Sequence, residues 1–335
     1  MRASVIVITR NRAHSIGETL TALAGQTGVD FEVLVVDSSE GAEKEATEKA
    51  VTAQGARFRY VHEPRRGQAL ARNTGIPLTS GEIIAFTDDD CIPAPDWLAA
   101  QLPNYSDPSV WACTGRVVQH SSEDASQLFE EVAGQDMGLE RRIFTKEDIR
   151  FGLGFFFGNL AKIFAKHMKS RAPVPFGIGH GSSMSFRRDA FVQNGMFDER
   201  YGWGRSFGGC EDLELLYRTL KSGHSIVYEP AAVIRHKHRF SADEVFRTRY
   251  IYSYGGAAFM RENSGDALML FMFYGRFVQL TIKAAQYKLL RKRDLAKSFG
   301  SDWQGFVDGW KAHRKYVREC RVTGPLDGPK KLPAP

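Results

Sequence analysis

Ile83-Ile84-Ala85-Phe86-Thr87-Asp88-Asp89-Asp90-Cys91 is an apolar run that ends in three consecutive carboxylates. The run has the composition of a buried strand. Folding stability does not ask for the acids, because like charges side by side repel and burying them unpaired is strongly unfavourable. A cation among them resolves the conflict. Oxygen ligands at i and i+2 suit a hard divalent ion such as magnesium or manganese. Asp88 and Asp90 are therefore candidate ligands of an ion that carries a diphosphate. The plainer alternative is a solvated acidic turn after a strand.

Upstream, residues 5–9 form an apolar β-branched run ending in Thr9-Arg10-Asn11-Arg12. Ile16, Leu20 and Leu23 give residues 14–26 a helical spacing. Residues 31–36 read as a second buried strand, ending in Asp37-Ser38-Ser39. A polar-faced helix over 42–53, a short strand over 58–61 and a helix over 67–76 follow. This alternation predicts an α/β fold, a mostly parallel sheet with helices on both faces. Ligands of such sheets bind beyond the carboxyl ends of the strands. Thr9, Asn11, Asp37, Arg72 and Asp88–Asp90 collect there. Each has a plainer role: Asp37 as a cap or Asx-turn, Arg72 paired with a surface carboxylate, Thr9 closing a loop. Their common edge favours binding. Neither a GxGxxG after the first strand nor a GxxxxGK[ST] occurs, which excludes the dinucleotide fingerprint and the P-loop. Pro93-Ala94-Pro95-Asp96-Trp97-Leu98 is expected to open a helix with proline in its first turn, and residues 110–118 a further strand.

The 335 residues are 43% apolar and 25% charged, as in soluble globular proteins. A net charge of +6 suits anionic substrates or an anionic membrane surface but is too dispersed to argue for nucleic acid. Cys91, Cys113, Cys210 and Cys320 are scattered without a CxxC pair, so reduced thiols in the cytosol are expected. No signal-peptide core and no unbroken membrane-spanning stretch is expected.

Further along, Tyr201-Gly202-Trp203-Gly204 and Gly208-Gly209-Cys210-Glu211-Asp212-Leu213-Glu214 lead into a helix marked by Leu213, Leu216, Tyr217 and Leu220. Glu211 and Asp212 fall on its first turn. Capping accounts for one acid there, but not for the glycine-rich approach. A helix N-terminus favours an ionised carboxylate, as a base acting on a hydroxyl requires. Trp203 could stack on a sugar face or simply pack. Residues 225–228 read as a strand, Glu229-Pro230 as a turn, and 232–235 lead to His236-Lys237-His238-Arg239.

Four segments taken in order, Ser4–Arg12, Val35–Ser39, Ala71–Gly75 and Thr87–Asp90, together with Gly-Gly-x-Glu-Asp-x-Glu at 208–214, resemble family 2 glycosyltransferases of GT-A fold. The resemblance covers residues 4–240. It implies a hexosyl-type transferase in which Thr9, Asn11 and Asp37 contact the nucleotide of a UDP-, dTDP- or GDP-sugar donor, with Arg72 near it. Asp88 and Asp90 serve metal, ribose and diphosphate, and Asp89 is a further candidate. It implies Asp212 as catalytic base, with Glu211 beside it, and Trp203 and Gly209 at the acceptor. His236, with His238 as alternative, would complete a Mn2+ or Mg2+ site with Asp88 and Asp90. The expected reaction is inverting transfer to a glycan, glycolipid or glycoprotein hydroxyl, in cell-surface polysaccharide or glycolipid synthesis. Two rivals are a nucleotidyltransferase acting on a sugar phosphate and a non-catalytic membrane- or polyanion-binding protein.

The expected organisation is a GT-A-like domain over 1–240, made of a nucleotide half (1–120), an insert (121–180) and an acceptor half (181–240). A helical extension over 241–320 and a disordered tail over 321–335 follow. In the insert, the Phe/Gly-rich stretch 151–158 and the basic stretch 160–167 suggest either a packed lid or contact with lipid. Residues 267–290, apolar and then basic, suggest an amphipathic, interfacial helix. The expected location is cytoplasmic, peripheral at the cytosolic face of the inner or plasma membrane.

Overall fold

The computed structural model describes residues 1–120, 136–149, 176–237, 241–323 and 329–333. The stretches 151–158 and 160–167, and His238, lie outside the described residues.

Strands β1 (Ala3–Thr9), β2 (Phe31–Asp37), β3 (Phe58–His62) and β4 (Ile83–Asp88) alternate with helices α1 (Ala13–Ala24), α2 (Gly41–Thr52) and α3 (Gln68–Gly75). All residues of β1 and β2 are buried. Alternation sends their side chains to two cores. Val5, Val7, Val33 and Val35 pack with Ile16, Leu20 and Leu23 of α1. Ile6, Ile8, Leu34 and Val36 join the core on the other face, with Phe86 and Ala69.

Beyond β4 come β5 (Cys91–Pro93), α4 (Trp97–Gln101), β6 (Val110–Gln119), β7 (Arg142–Phe144), β8 (Met184–Arg187), α5 (Arg188–Gln193), α6 (Glu211–Lys221) and β9 (Ser225–His236). The described strands form one nine-stranded sheet in the order β3-β2-β1-β4-β8-β6-β9-β5, with β7 also on β9. It is parallel from β3 to β4, and β8 is antiparallel to both its neighbours.

Two local readings are corrected. The prolines after the acidic triplet do not open a helix: Cys91–Pro93 pairs antiparallel with β9, and α4 begins only at Trp97. Pro93 ends an edge strand, where a missing N–H is harmless. The predicted break at Glu229-Pro230 is a bulge within one strand, since Gly115 pairs with Glu229 and Arg116 with Val233. Residues 230–232 loop out, leaving Pro230, which cannot donate to a ladder, off the pairing.

Helices α7 (Ala242–Glu262), α8 (Ala267–Leu289) and α9 (Arg293–Thr323) share the second core, contributing Phe259, Met272, Phe273, Phe299 and Phe306. A Ser241/Glu244 capping box starts α7. Gly305 and Gly309 let α9 press against the backbone of α7, where an added Cβ would meet the Tyr250 and Tyr254 carbonyl oxygens at 2.2 and 2.1 Å. Arg249 and Asp302 form a buried ion pair between these helices. Residues 321–323 and 329–333 of the expected tail are described. Helix α9 runs to Thr323, and the Leu332 N–H donates to Phe191 O (3.0 Å) with its side chain buried. The expectation of no spanning-length stretch is also corrected, because α8 is long and apolar enough to cross a membrane by length and composition.

Candidate active site

Register places the acids. Thr9 pairs with Asp37 across β1 and β2, and Ile8 pairs with Asp88 across β1 and β4. The carboxyl ends of three central strands thus meet at one edge. Asp37 is fully buried, and its two oxygens accept from the Ser39 N–H (2.8 Å) and the Tyr60 hydroxyl (3.0 Å). It therefore closes the turn after β2. Asn11 takes a left-handed φ of 53°, and its N–H donates to Ser39 Oγ (2.7 Å). The Thr9 hydroxyl donates to Asp89 Oδ2 at 2.6 Å.

Each member of the triplet has a basic partner, and Asp89 and Asp90 share one. Asp89, 4% exposed, accepts from Arg12 Nη1 at 3.0 Å. Asp90 accepts from the same nitrogen at 2.7 Å and lies 3.1 Å from His236 Nε2. Asp88 lies 3.3 Å from Arg72 Nη2. His236 reaches Asp90 because β5 returns the chain to β9: Cys91 pairs with His236, and the Lys237 N–H donates to Asp90 O (2.8 Å). Burial pushes Asp88 up against the pull of Arg72, and burial together with Asp90 pushes Asp89 up to about 7. Burial acts the same way on Asp90, but His236 and Arg12 outweigh it and hold Asp90 below the usual carboxylate range. A solvated acidic turn would show none of this pairing.

Ligand-type atoms of Asp90, Cys91 and His236 lie within 4.8 Å of one another. Burial raises the Cys91 thiol well above its ordinary value, so it is a poor ligand for a hard ion. By donor type the Asp90 carboxylate and the His236 imidazole suit manganese or magnesium, and Asp88, outside this close group, is the remaining oxygen donor of the triplet.

Arg72, 2% exposed, joins this cluster to the second acidic motif. Its Nη1 donates to Glu211 Oε1 at 2.7 Å across 139 residues of sequence. Glu211 is buried, which raises it to about 7 in spite of Arg72, and Asp212 adds to the rise. Its carboxylate therefore faces Arg72 inside the protein. Asp212 is only partly buried; its Oδ2 accepts the Gly181 N–H at 2.7 Å and its Oδ1 the Leu213 N–H at 2.8 Å. A Cβ at Gly181 would sit 3.0 Å from Asp212 Oδ2 and 3.3 Å from Arg72 Nη2, so a side chain there would crowd both. Cys210, in a left-handed conformation (φ 79°), turns the chain into α6 just before the acid pair.

The glycine loop closes through a bridge between Gly202 and Gly208. Trp203, partly buried, lines a cavity of about 330 Å³ with Gly208, Tyr250 and Tyr254. Gly209 lies against Tyr252, 3.3 Å from its added Cβ to Cδ1. Tyr252 is 39% exposed. Its phenol is raised by desolvation and then by the negative charges of Asp212, Glu211, Asp88 and Asp90. Arg12, Cys91, Gly181 and Tyr252 were not expected as site residues. Only Arg12 left a signal, as a basic residue at the end of β1.

Residues 4–192 match the family model for glycosyl transferase family 2. The chain is similar to the pre-mycofactocin glycosyltransferase of Mycobacterium tuberculosis (strain CDC 1551 / Oshkosh), 25% identical over 257 residues, which are 76% of this chain and 46% of that protein. It is also similar to glycosyltransferase AglE of Haloferax volcanii, 29% identical over 200 residues, 56% of this chain and 64% of that protein. The chain thus spans about half to two thirds of the length of these relatives. Its fold is similar to that of the mannosyltransferase PcManGT from Pyrobaculum calidifontis, solved with GDP-Man and Mn2+, with a TM-score of 0.55, 19% identity, and coverage of 97% of this chain and 76% of that one. The shared fold is of GT-A type.

Proposed function

We propose a reaction from one premise: this chain belongs to glycosyl transferase family 2 and is a glycosyltransferase. It moves a sugar from a nucleoside-diphosphate sugar to an acceptor hydroxyl with inversion. One observation carries the reading. Buried Arg72 pairs with Asp88 of the triplet and with Glu211, the neighbour of Asp212, which supports reading the metal-type acids and the candidate base as parts of one site. Asp88, Asp90 and His236 would hold a manganese or magnesium ion, which when bound supplies positive charge at the diphosphate.

Asp212 takes the proton from the acceptor hydroxyl. The acceptor oxygen bonds to the anomeric carbon as the bond to the diphosphate oxygen breaks, and the electron pair leaves on the nucleoside diphosphate. Backbone N–H groups of Gly181 and Leu213 fix the Asp212 carboxylate in orientation. Glu211, tied to Arg72, is a positioning residue. Trp203, beside the cavity, offers a face for a sugar ring. The β1–β2 edge, with Asn11 and Asp37, is where the nucleotide would lie. The acceptor class we favour is a glycan, glycolipid or glycoprotein of the cell surface. A cytoplasmic site at the inner face of the membrane agrees with the free, buried thiols of Cys91, Cys113 and Cys210.

The test is Asp212→Asn. Removing a general base is expected to lower kcat by about 10²–10⁴, with unchanged thermal stabilisation by nucleotide and Mn2+. Screening UDP, GDP, dTDP and CMP against wild type identifies the donor class, with GDP an early choice because the structurally similar mannosyltransferase was solved with GDP-Man. Near-normal transfer by Asp212→Asn overturns the base assignment. Absence of stabilisation by every nucleotide with manganese overturns the donor reading.

A further inference from the structure

Helix α8 buries one face and leaves the opposite face in solvent. Leu268, Met269, Met272, Phe273 and Leu280 are buried, and the Phe273 ring lies 4.8 Å from that of Phe306 on α9. On the other side Leu270, Tyr274, Val278 and Ile282 are 36% to 60% exposed, while Phe277, at the edge of that face, turns its ring toward Trp303 and Phe306 of α9. The four exposed side chains recur at i, i+4 spacing and so line up as one stripe. Ala285 is also exposed and continues it without charge, and Leu289 extends it at 84% exposure; Thr281, beside it, accepts from Trp303 Nε1 of α9 at 3.2 Å. A continuous apolar surface of this kind marks an interaction face.

The charge along α8 and the turn after it is basic, with Asp266, paired to Lys221, at the N-cap and exposed Asp294 following the basic cluster. From 267 to 293 the chain holds Arg276, Lys283, Lys288, Arg291, Lys292 and Arg293 and no acidic residue. Lys288, Arg291, Lys292 and Arg293 are exposed at the carboxyl end of the stripe. Arg276 points the other way, 3.7 Å from Asp302. Length and composition would let α8 span a bilayer, but spanning would strip its buried face from α9. Lying along the surface keeps that packing.

We propose that α8 docks in the plane of an anionic lipid bilayer, with its stripe at the acyl boundary and its basic end among the headgroups. A second copy of the chain would offer no acid on its own α8 to receive the basic end, whereas anionic headgroups do. The docking needs neither donor nor acceptor and stands apart from the proposed reaction.

The test is co-sedimentation of the full chain with vesicles of phosphatidylcholine alone or mixed with phosphatidylglycerol. Binding to the mixed vesicles is expected to exceed binding to phosphatidylcholine by about tenfold or more. V278E/I282E and K288E/R291E/K292E should each weaken it by about tenfold or more. These positions are exposed, so both variants should keep the wild-type Tm and near-UV spectrum. Wild-type protein that stays in the supernatant overturns the proposal. So does V278E/I282E that sediments like wild type. Light scattering that shows a dimer, broken by V278E/I282E with no change in sedimentation, assigns the face to a second copy instead.

Discussion

At the sheet edge Asp88, Asp89 and Asp90 are drawn in beside Arg72, Arg12 and His236, while along α8 the side chains of Leu270, Tyr274, Val278 and Ile282 stand out in solvent. Each arrangement runs against what stability alone would select. Carboxylates prefer water, and large apolar side chains prefer the core. The difference lies in compensation. The acids are answered by cations delivered from the turn after β1, from α3 and from β9, so the protein itself supports that departure. The stripe has no answer within the described residues of the chain, which directs attention outward. A substitution should therefore be felt in the fold at the first region and only in binding at the second.

The largest effect is expected from Arg72→Met. Removing the guanidinium strands Asp88 and Glu211 in a buried site, at about 3–5 kcal/mol. Thermal or urea unfolding reads the loss. Adding Glu211→Gln to Arg72→Met should recover part of it, because the amide removes an acid that would otherwise have to take up a proton once its partner is gone. A fully stable Arg72→Met would mean that the two motifs are not held together this way. Next comes Gly309→Ala. On an exposed helix this change stabilises by about 1 kcal/mol. Here the added Cβ would meet Tyr254 O at 2.1 Å, and a loss of about 2–3 kcal/mol is expected. A rise in Tm would show that α7 and α9 are not in backbone contact.

Glu32 gives a smaller, pH-dependent effect. Burial opposes its ionisation, but the Ser80 N–H, the Ser4 and Ser80 hydroxyls and Arg59 outweigh it and lower Glu32 from 4.5 to about 2. A lowered carboxylate stabilises the fold above its unfolded value, and this contribution fades as pH falls from about 4.5 to about 2. Glu32→Gln should remove on the order of 2 kcal/mol at neutral pH and flatten that part of the Tm–pH curve. An unchanged acid limb would discount the Ser4–Glu32–Ser80 contacts. Gly309→Ala, by contrast, should lower Tm equally across that window.

The βα alternation up to Asp88 was legible because two-sided burial leaves uninterrupted β-branched runs, as in residues 5–9 and 31–36. The Asp-x-Asp element, the Glu211–Asp212 helix start and His236 were legible as residue types at strand and helix ends. Their pairing was not. Sequence offered Arg72 a surface carboxylate, and only tertiary folding brings Glu211 to it from 139 positions away. Arg12 was visible as a polar residue after β1, yet its contact with Asp89 and Asp90 depends on the β1–β4 register. Strand β5 was missed because three residues ending in proline carry no periodicity, and its partner lies on β9. Tyr252 is an ordinary helix residue until α7 packs against the glycine loop. Asp37 closes its turn as a cap would and lies at the carboxyl end of β2, beside Thr9 of β1.

Ile282→Glu is expected to have the smallest effect on stability, and that smallness is its value. Ile282 is 59% exposed on α8, glutamate is a good helix former, and exposed substitutions of this kind usually change stability by within about 0.5 kcal/mol. If the stripe were an internal contact that closes in solution, the same change would bury an unpaired carboxylate and lower Tm by several degrees. A flat Tm together with lost vesicle binding would separate a surface built for a partner from one built for the fold. A large drop in Tm would place α8 with the sheet edge, as a region whose chemistry is answered from within.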